Sequence, residues 1–244
     1  MRASIEALRG IVYLNGEALD RAAHETDDAA REAGGEMADL LTPVSKGWGT
    51  DLGVELTSLA IQVFGGMGYI EETGVAQHFR DARIAPIYEG TNGIQAMDLV
   101  GRKLPMRAGA AVADYLARIA ALDDDLAAAG DDLASIRTNL TDGLAALRTA
   151  TDWLLENGLA NPLDALAGAT PYLRLFSMVT GGWVMARQAL AATAALRDAT
   201  GVDKEFYEGK VVTARFFCEQ LLPQAAGLVP AVTATNRDLA AAPL

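Results

Sequence analysis

An all-α fold is predicted by three features of the 244-residue sequence. Apolar residues recur at three- and four-residue steps along most of the chain, which is the period of an amphipathic helix. Alternation of apolar and polar residues, the pattern of a strand, does not extend over more than a few residues. Gly, Asn and Pro separate the periodic segments at intervals that are typical of helices joined by short turns.

The first predicted domain, residues 1–104, begins with two long antiparallel helices. The first runs from residue 1 to about residue 31, and Gly34-Gly35 is expected to end it. Pro43 has the position of a first-turn residue in the second helix. That helix is expected to end at Gly65-Gly66, a cluster that follows a helix and therefore lacks the strand–turn–helix context of a dinucleotide-binding loop.

Two shorter helices complete this predicted domain. One is expected around residues 74–83 and the other from about residue 93 to residue 102. Asn92 and Gln95 have the spacing of a capping box at the start of the latter helix. The predicted fold of residues 1–104 is thus a helical bundle.

A second predicted domain, residues 105–244, begins at Pro105, where the composition becomes rich in Ala, Leu and Asp. Four apolar stripes of similar length predict a region that resembles a four-helix bundle. Asn161-Pro162 is expected to open the third of these helices, Pro171 to kink or split it, and Gly201 to end it.

Composition excludes several classes of partner. The net charge of −12 argues against nucleic acid or an anionic membrane, because both require a positive field. No apolar run is long enough to span a bilayer, so we expect a cytoplasmic protein without membrane contact. With one cysteine, Cys218, and two histidines, His24 and His78, neither a disulfide nor a metal site is expected.

Glu89 is the candidate catalytic residue. It stands between an apolar segment, residues 84–88, and the glycine-containing turn of residues 90–93. Apolar neighbours would desolvate the carboxylate, while the N–H groups of a following helix would stabilise its charge. A carboxylate held between these influences is a candidate general base, the alternative being an ordinary exposed loop carboxylate.

Three motifs around Glu89 resemble the C-terminal helical domain of the flavin-dependent acyl-CoA dehydrogenases. They are Gln-Val-Phe-Gly-Gly-Met-Gly-Tyr at 62–69, Phe-Arg-Asp-Ala-Arg at 79–83 and Ile-Tyr-Glu-Gly-Thr-Asn-Gly-Ile-Gln at 87–95. Their order and spacing match that family over about residues 1–104. Residues after Pro105 resemble the extra C-terminal helical domain of long bacterial members, including those that act on methylthio-propionyl-CoA.

The resemblance implies a reaction and a set of site residues. Glu89 would remove a proton from the α-carbon of an acyl-CoA while a hydride passes to FAD. Thr91 and Asn92 match positions that contact FAD within the subunit, whereas Gln62 and Gly66 match positions that reach the FAD of a neighbouring subunit. At Gly93 many relatives have a glutamine that helps to hold the cofactor.

The resemblance also implies partners and leaves one alternative open. Family members act in fatty acid metabolism, form homodimers or homotetramers, and commonly pass electrons to an electron-transfer flavoprotein. They carry N-terminal helical and middle β-domains that these 244 residues lack, so we expect the isolated chain to bind FAD weakly or not at all. The alternative is a non-catalytic helical module for oligomerisation or partner binding.

Overall fold

The computed structural model describes residues 1–158, 160–237 and 239, and within them it is all-α, as predicted, with no strand. The α-helices are α1 Arg2–His24, α2 Asp28–Pro43, α3 Gly49–Phe64, α4 Gly66–Tyr69, α5 Val75–Ala82, α6 Asn92–Asp98, α7 Ala110–Ala120, α8 Leu122–Ala128, α9 Ala134–Asn157, α10 Pro162–Ala167, α11 Ala169–Ala195, α12 Gly201–Phe216 and α13 Val229–Val232. Three π-helical segments are Val44–Trp48, Leu99–Lys103 and Phe217–Leu221. Short 3₁₀ turns are Glu71–Thr73, Met106–Gly109, Asp131–Leu133 and Leu222–Leu228.

Helices α1 and α2 pack against each other, and the prediction that Gly34-Gly35 ends the first helix is wrong. Both glycines lie inside α2, and the break comes earlier, at Glu25 to Asp27. The side chain of Asp27 caps α2 by accepting a hydrogen bond from the Ala30 N–H at 2.8 Å. A Cβ at Gly34 would lie only 2.8 Å from the Ala22 backbone nitrogen, so glycine is required there for helix contact.

Pro43 does not open a helix, contrary to the sequence prediction. It is the last residue of α2, and the chain continues through the π-helical segment Val44–Trp48 directly into α3. Proline has no N–H, so one intrahelical hydrogen bond is lost at this position. The wider π-helical turn follows immediately, and such segments are frequent at functional sites.

The predicted helices after Pro105 are present with two changes of boundary. The third is split into α10 and α11, but the break is at Gly168, whereas Pro171, the expected position of the break, lies in the first turn of α11. Gly201 begins α12 with a φ of +54° and does not end the preceding helix. Residues 159, 238 and 240–244 of this predicted domain lie outside the described residues.

Helix α11 is buried on nearly all sides and forms the centre of the apolar core. Its neighbours are α1, α6, α9 and α12. Its buried hydroxyls are paired: Thr180 with Tyr115 and, across the core, Thr151 of α9 with Tyr172, both at 2.7 Å. Because this core contains residues from both sides of Pro105, the two predicted domains pack as one body, and their boundary stays a prediction.

Gly34→Ala is expected to destabilise the chain by about 1–3 kcal/mol, because a new methyl group would press against the α1 backbone. Gly35→Ala is the matched control, since a Cβ at Gly35 would meet nothing within 4 Å. There the better helix propensity of alanine should stabilise the chain by about 0.5–1 kcal/mol. Urea unfolding measures both free energies, and equal effects at the two positions would contradict the close packing of α1 and α2.

Candidate functional site

The connection between α5 and α6 contains Glu89 in a backbone conformation that only glycine adopts freely. Glu89 has a φ of +55° and Gly90 one of +77°, so two consecutive residues are left-handed. For a residue with a Cβ this conformation costs about 1–2 kcal/mol. Strain of this kind persists where surrounding contacts impose it, and it is concentrated at functional sites.

Asn92 is the main anchor of this turn. Its side-chain amide donates to the Gly47 carbonyl at 2.9 Å and to the Asp51 carboxylate at 2.7 Å. Its amide oxygen accepts from the Lys46 ammonium group at 2.8 Å. The start of α6 is therefore fixed to the π-helical segment and the first turn of α3.

The predicted cap of α6 is wrong by one residue. Thr91, not Asn92, is the N-cap, and its hydroxyl oxygen accepts a hydrogen bond from the Ile94 N–H at 3.3 Å. The difference arises because the Asn92 side chain turns away from its own helix towards residues more than forty positions earlier. No local spacing rule reports such a long-range contact.

Lys46 holds the turn at a second point. Its ammonium group donates to the Gly90 carbonyl at 2.6 Å as well as to Asn92. Thr50, one turn further along, donates to the Lys46 carbonyl at 2.7 Å. A charged donor on a carbonyl makes one of the stronger hydrogen bonds available to a protein.

Glu89 itself is exposed, and the expectation that apolar neighbours desolvate it is wrong for the described part of the chain. Ile87 is 50% exposed and Tyr88 54% exposed, so the apolar approach to Glu89 faces outward with it. The connection lies on the surface, and no described element packs over it. The backbone of the turn is thus fixed on its inner side, while its side chains remain open on the outer side.

An open groove of about 440 Å³ adjoins the turn. It is lined by Asp51, Val54, Arg83, Pro86, Ile87, Thr91, Asn92 and Gly93. Within the described residues the Arg83 guanidinium has no hydrogen-bond or ion-pair partner, and the Thr91 hydroxyl keeps its proton available for donation. The groove thus combines the apolar side chains of Val54, Pro86 and Ile87 with a guanidinium group, a hydroxyl donor and the Asp51 carboxylate.

Gln62 and Gly66 lie apart from this groove. Both are exposed at the far end of α3, where Gly65 ends the helix with a φ of +60°. Gln62 follows Asp51 by eleven residues, or about 16 Å along the helix axis. The structure therefore groups Thr91 and Asn92 around the Glu89 turn and places Gln62 and Gly66 at a separate surface.

Several other titratable residues lie outside this site. Burial raises the pKa of the Cys218 thiol to about 12, which keeps it protonated and inert. His24 and His78 are exposed, and Asp123 forms an ion pair with Arg137 at 2.7 Å. Arg80 pairs with Glu71 at 2.8 Å and so connects α5 to the preceding turn.

The described residues contain no group of three or more acidic, histidine or cysteine side chains placed to hold a metal ion. None of their helices combines the length and hydrophobicity needed to cross a membrane.

Sequence reasoning missed four residues that the structure brings to the site: Lys46, Thr50, Asp51 and Arg83. The first three lie on the helix opposite the turn, and their role depends on tertiary contacts between residues about 40–45 positions apart. Arg83 belongs to a motif that the sequence analysis quoted. Its position two residues after Asp81, beside the connection to Glu89, was the only available signal.

Family models assign both halves of the sequence to a known class of protein. Residues 1–104 match the model described as "Acyl-CoA dehydrogenase, C-terminal domain", and residues 105–243 match "Acetyl-CoA dehydrogenase C-terminal like". The chain belongs to the acyl-CoA dehydrogenase family. The resemblance inferred from the three motifs is thereby confirmed.

One relative and two solved structures are similar to this chain over nearly its whole length. The chain is 41% identical over 244 residues to the 3-methylmercaptopropionyl-CoA dehydrogenase of Ruegeria pomeroyi, covering all of this chain and 41% of that protein. ACDH-11 of Caenorhabditis elegans, in complex with C11-CoA, has the same fold at a TM-score of 0.73 and 19% identity, over 98% of this chain and 38% of that one. An acyl-CoA dehydrogenase from Bacillus anthracis complexed with FAD has a TM-score of 0.64 and 17% identity, over 99% of this chain and 41% of that one. The chain thus spans about two-fifths of the length of the relatives it matches.

Glu89→Gly is expected to be more stable than Glu89→Ala by about 1 kcal/mol, because only the alanine keeps a Cβ at a φ of +55°. Both substitutions remove the carboxylate, so their difference isolates the backbone strain. Thermal unfolding of the two variants measures it. Equal stability would mean that the left-handed conformation at residue 89 is not imposed by the fold.

Proposed function

We propose that this chain forms the C-terminal helical part of an FAD-dependent acyl-CoA dehydrogenase that introduces a double bond between the α- and β-carbons of an acyl-CoA thioester. Glu89 is its catalytic base. The observation that carries this proposal is the left-handed Glu89 backbone in a turn that Lys46 and Asn92 fix to the helix behind it. Membership of the acyl-CoA dehydrogenase family supports the reaction class.

The chemistry assigned to Glu89 follows from its charge and position. An exposed carboxylate on a rigid turn can accept the proton that leaves the α-carbon of a bound thioester. Negative charge then develops on the thioester oxygen, and a backbone N–H at residue 89 or beside it would stabilise this charge. FAD, when bound, supplies the acceptor for the hydride that leaves the β-carbon.

Two sets of residues are proposed to hold FAD. Thr91 and Arg83 line the groove beside the turn and offer a hydroxyl and a guanidinium group. The Asn92 amide is already engaged with Gly47, Asp51 and Lys46, so its contribution is to anchor the segment that carries Thr91. Gln62 and Gly66, at the far end of α3, are proposed to serve the FAD of a second copy.

A homo-oligomer, most simply a dimer, is the second part of the proposal. Four apolar side chains at the end of α3 and in α4 are 55–81% exposed: Val63, Phe64, Met67 and Tyr69. A cluster of this kind on a protein surface is typical of an interface. Sedimentation at twice the mass of one chain is expected, and a monomer at every concentration would contradict the proposal.

Three finer features follow from family membership. The acceptor of electrons is proposed to be an electron-transfer flavoprotein, and the compartment the cytoplasm. Relatives named as dehydrogenases of CoA thioesters support the substrate class. We expect the 244-residue chain by itself to show weak flavin absorbance or none, because both Glu89 and the groove are open on their outer side.

Glu89→Gln is expected to abolish reduction of the flavin by acyl-CoA in the flavin-loaded enzyme that contains this chain. Glutamine keeps the size and polarity of the side chain and cannot accept the α-proton at an appreciable rate. Loss of flavin absorbance under anaerobic conditions measures the step, with an expected decrease of at least about 100-fold.

The matched control is Glu55→Gln, which neutralises an exposed glutamate of α3 that does not line the groove. This variant should reduce flavin at the wild-type rate. Wild-type flavin reduction in Glu89→Gln would contradict the proposed role of Glu89.

A further inference from the structure

Lys46 contacts the Glu89 turn through its ammonium group. Its ammonium group lies 2.6 Å from the Gly90 carbonyl and 2.8 Å from the Asn92 amide oxygen, so it joins two points of the turn at once. Gly90 directly follows Glu89, and both have positive φ values. A restraint on the Gly90 carbonyl therefore acts on the peptide unit next to the strained residue.

The helix that carries Lys46 is itself fixed in place. Lys46 lies in the π-helical segment Val44–Trp48, where the neighbouring Gly47 is buried against Leu173 of α11. A Cβ at Gly47 would be 2.7 Å from a methyl group of Leu173. The backbone of this segment is thus packed against a buried helix, while the Lys46 side chain reaches the turn.

An alternative role for Lys46, attracting an anionic ligand into the groove, explains its hydrogen bonds to the turn less well. Lys46 is half-buried and both acceptors of its ammonium group belong to the turn, while Arg83 provides the cation that lines the groove without a partner among the described residues. A lysine that only attracted an anion would keep its ammonium group free. The geometry of Lys46 is that of a clamp.

We propose that Lys46 is a positioning residue that fixes the backbone of the Glu89 turn, and through it the direction of the Glu89 carboxylate. The catalytic consequence rests on the proposed function, whereas the clamp itself does not. Its removal releases the Gly90 carbonyl and leaves Asn92 to hold the turn alone. The turn then samples conformations in which Glu89 does not face its substrate.

Hydrogen exchange of the purified 244-residue chain tests the clamp without any flavin. The Asn92 N–H donates to the Pro86 carbonyl at 3.1 Å and closes the turn, so its exchange rate reports opening of this segment. Lys46→Met, which keeps the apolar stem of the side chain and removes the ammonium group, should increase this rate about tenfold or more. Amides of α9 and α11 should exchange as in the wild type.

Lys103→Met is the matched control. Lys103 also lies in a π-helical segment and is also bonded, at 2.7 Å to Asp39, but it does not touch the turn. The Lys103→Met variant should leave the exchange rate of the Asn92 N–H unchanged. Lys46→Arg keeps a cationic donor and should restore most of the protection of the Asn92 N–H against exchange. If Lys46→Met does not fold, Lys46→Gln replaces it.

Two exchange results would overturn the proposal. One is unchanged Asn92 exchange in both Lys46→Met and Lys46→Gln, and the other is an equal increase throughout α9 and α11, which would indicate a general structural role. In the flavin-loaded enzyme, Lys46→Met should lower the rate of flavin reduction with little change in the KM for acyl-CoA. Full flavin reduction in Glu89→Gln would refute the proposed function and leave the exchange result to decide on the clamp.

Discussion

The burial of α11 on nearly all sides is the constraint on which the rest of the structure depends. Helices from both predicted domains pack around it, and Gly47 of the π-helical segment before α3 lies against its Leu173 side chain. Lys46, the preceding residue, is thereby placed beside the turn. A surface turn thereby becomes rigid because of packing in the core, without being buried itself.

The Glu89 turn illustrates how a fold maintains a conformation that is locally unfavourable. The left-handed backbone of Glu89 opposes folding, while charge-assisted and amide hydrogen bonds from Lys46 and Asn92 impose it. The backbone of the turn is held by hydrogen bonds to the helix behind it, while the Glu89 side chain is exposed. This arrangement suits a catalytic base whose substrate binds at the exposed face of the turn. Family membership and the adjoining groove agree with that arrangement.

Most of the fold could be predicted from the sequence because apolar periodicity records which face of each helix is buried. The Glu89 motif likewise identified the family. Glycine and proline were less informative: Gly34 permits close helix contact inside α2, Pro43 ends α2 without stopping the chain, and Gly201 opens a helix. The roles of Lys46 and Asn92 could not be predicted, since they arise from contacts between residues more than forty positions apart, which local patterns do not encode.

Glu89, carried on a turn whose backbone is fixed, is proposed to remove an α-proton, and exchange of that proton with solvent tests this role most directly. The flavin-loaded enzyme containing this chain would be incubated in D₂O with an acyl-CoA analogue that has no β-hydrogen and so cannot be oxidised. Deuterium at the α-carbon is then measured by NMR. We predict incorporation by the wild type and none above the uncatalysed rate with Glu89→Gln; equal incorporation by both proteins would contradict the account.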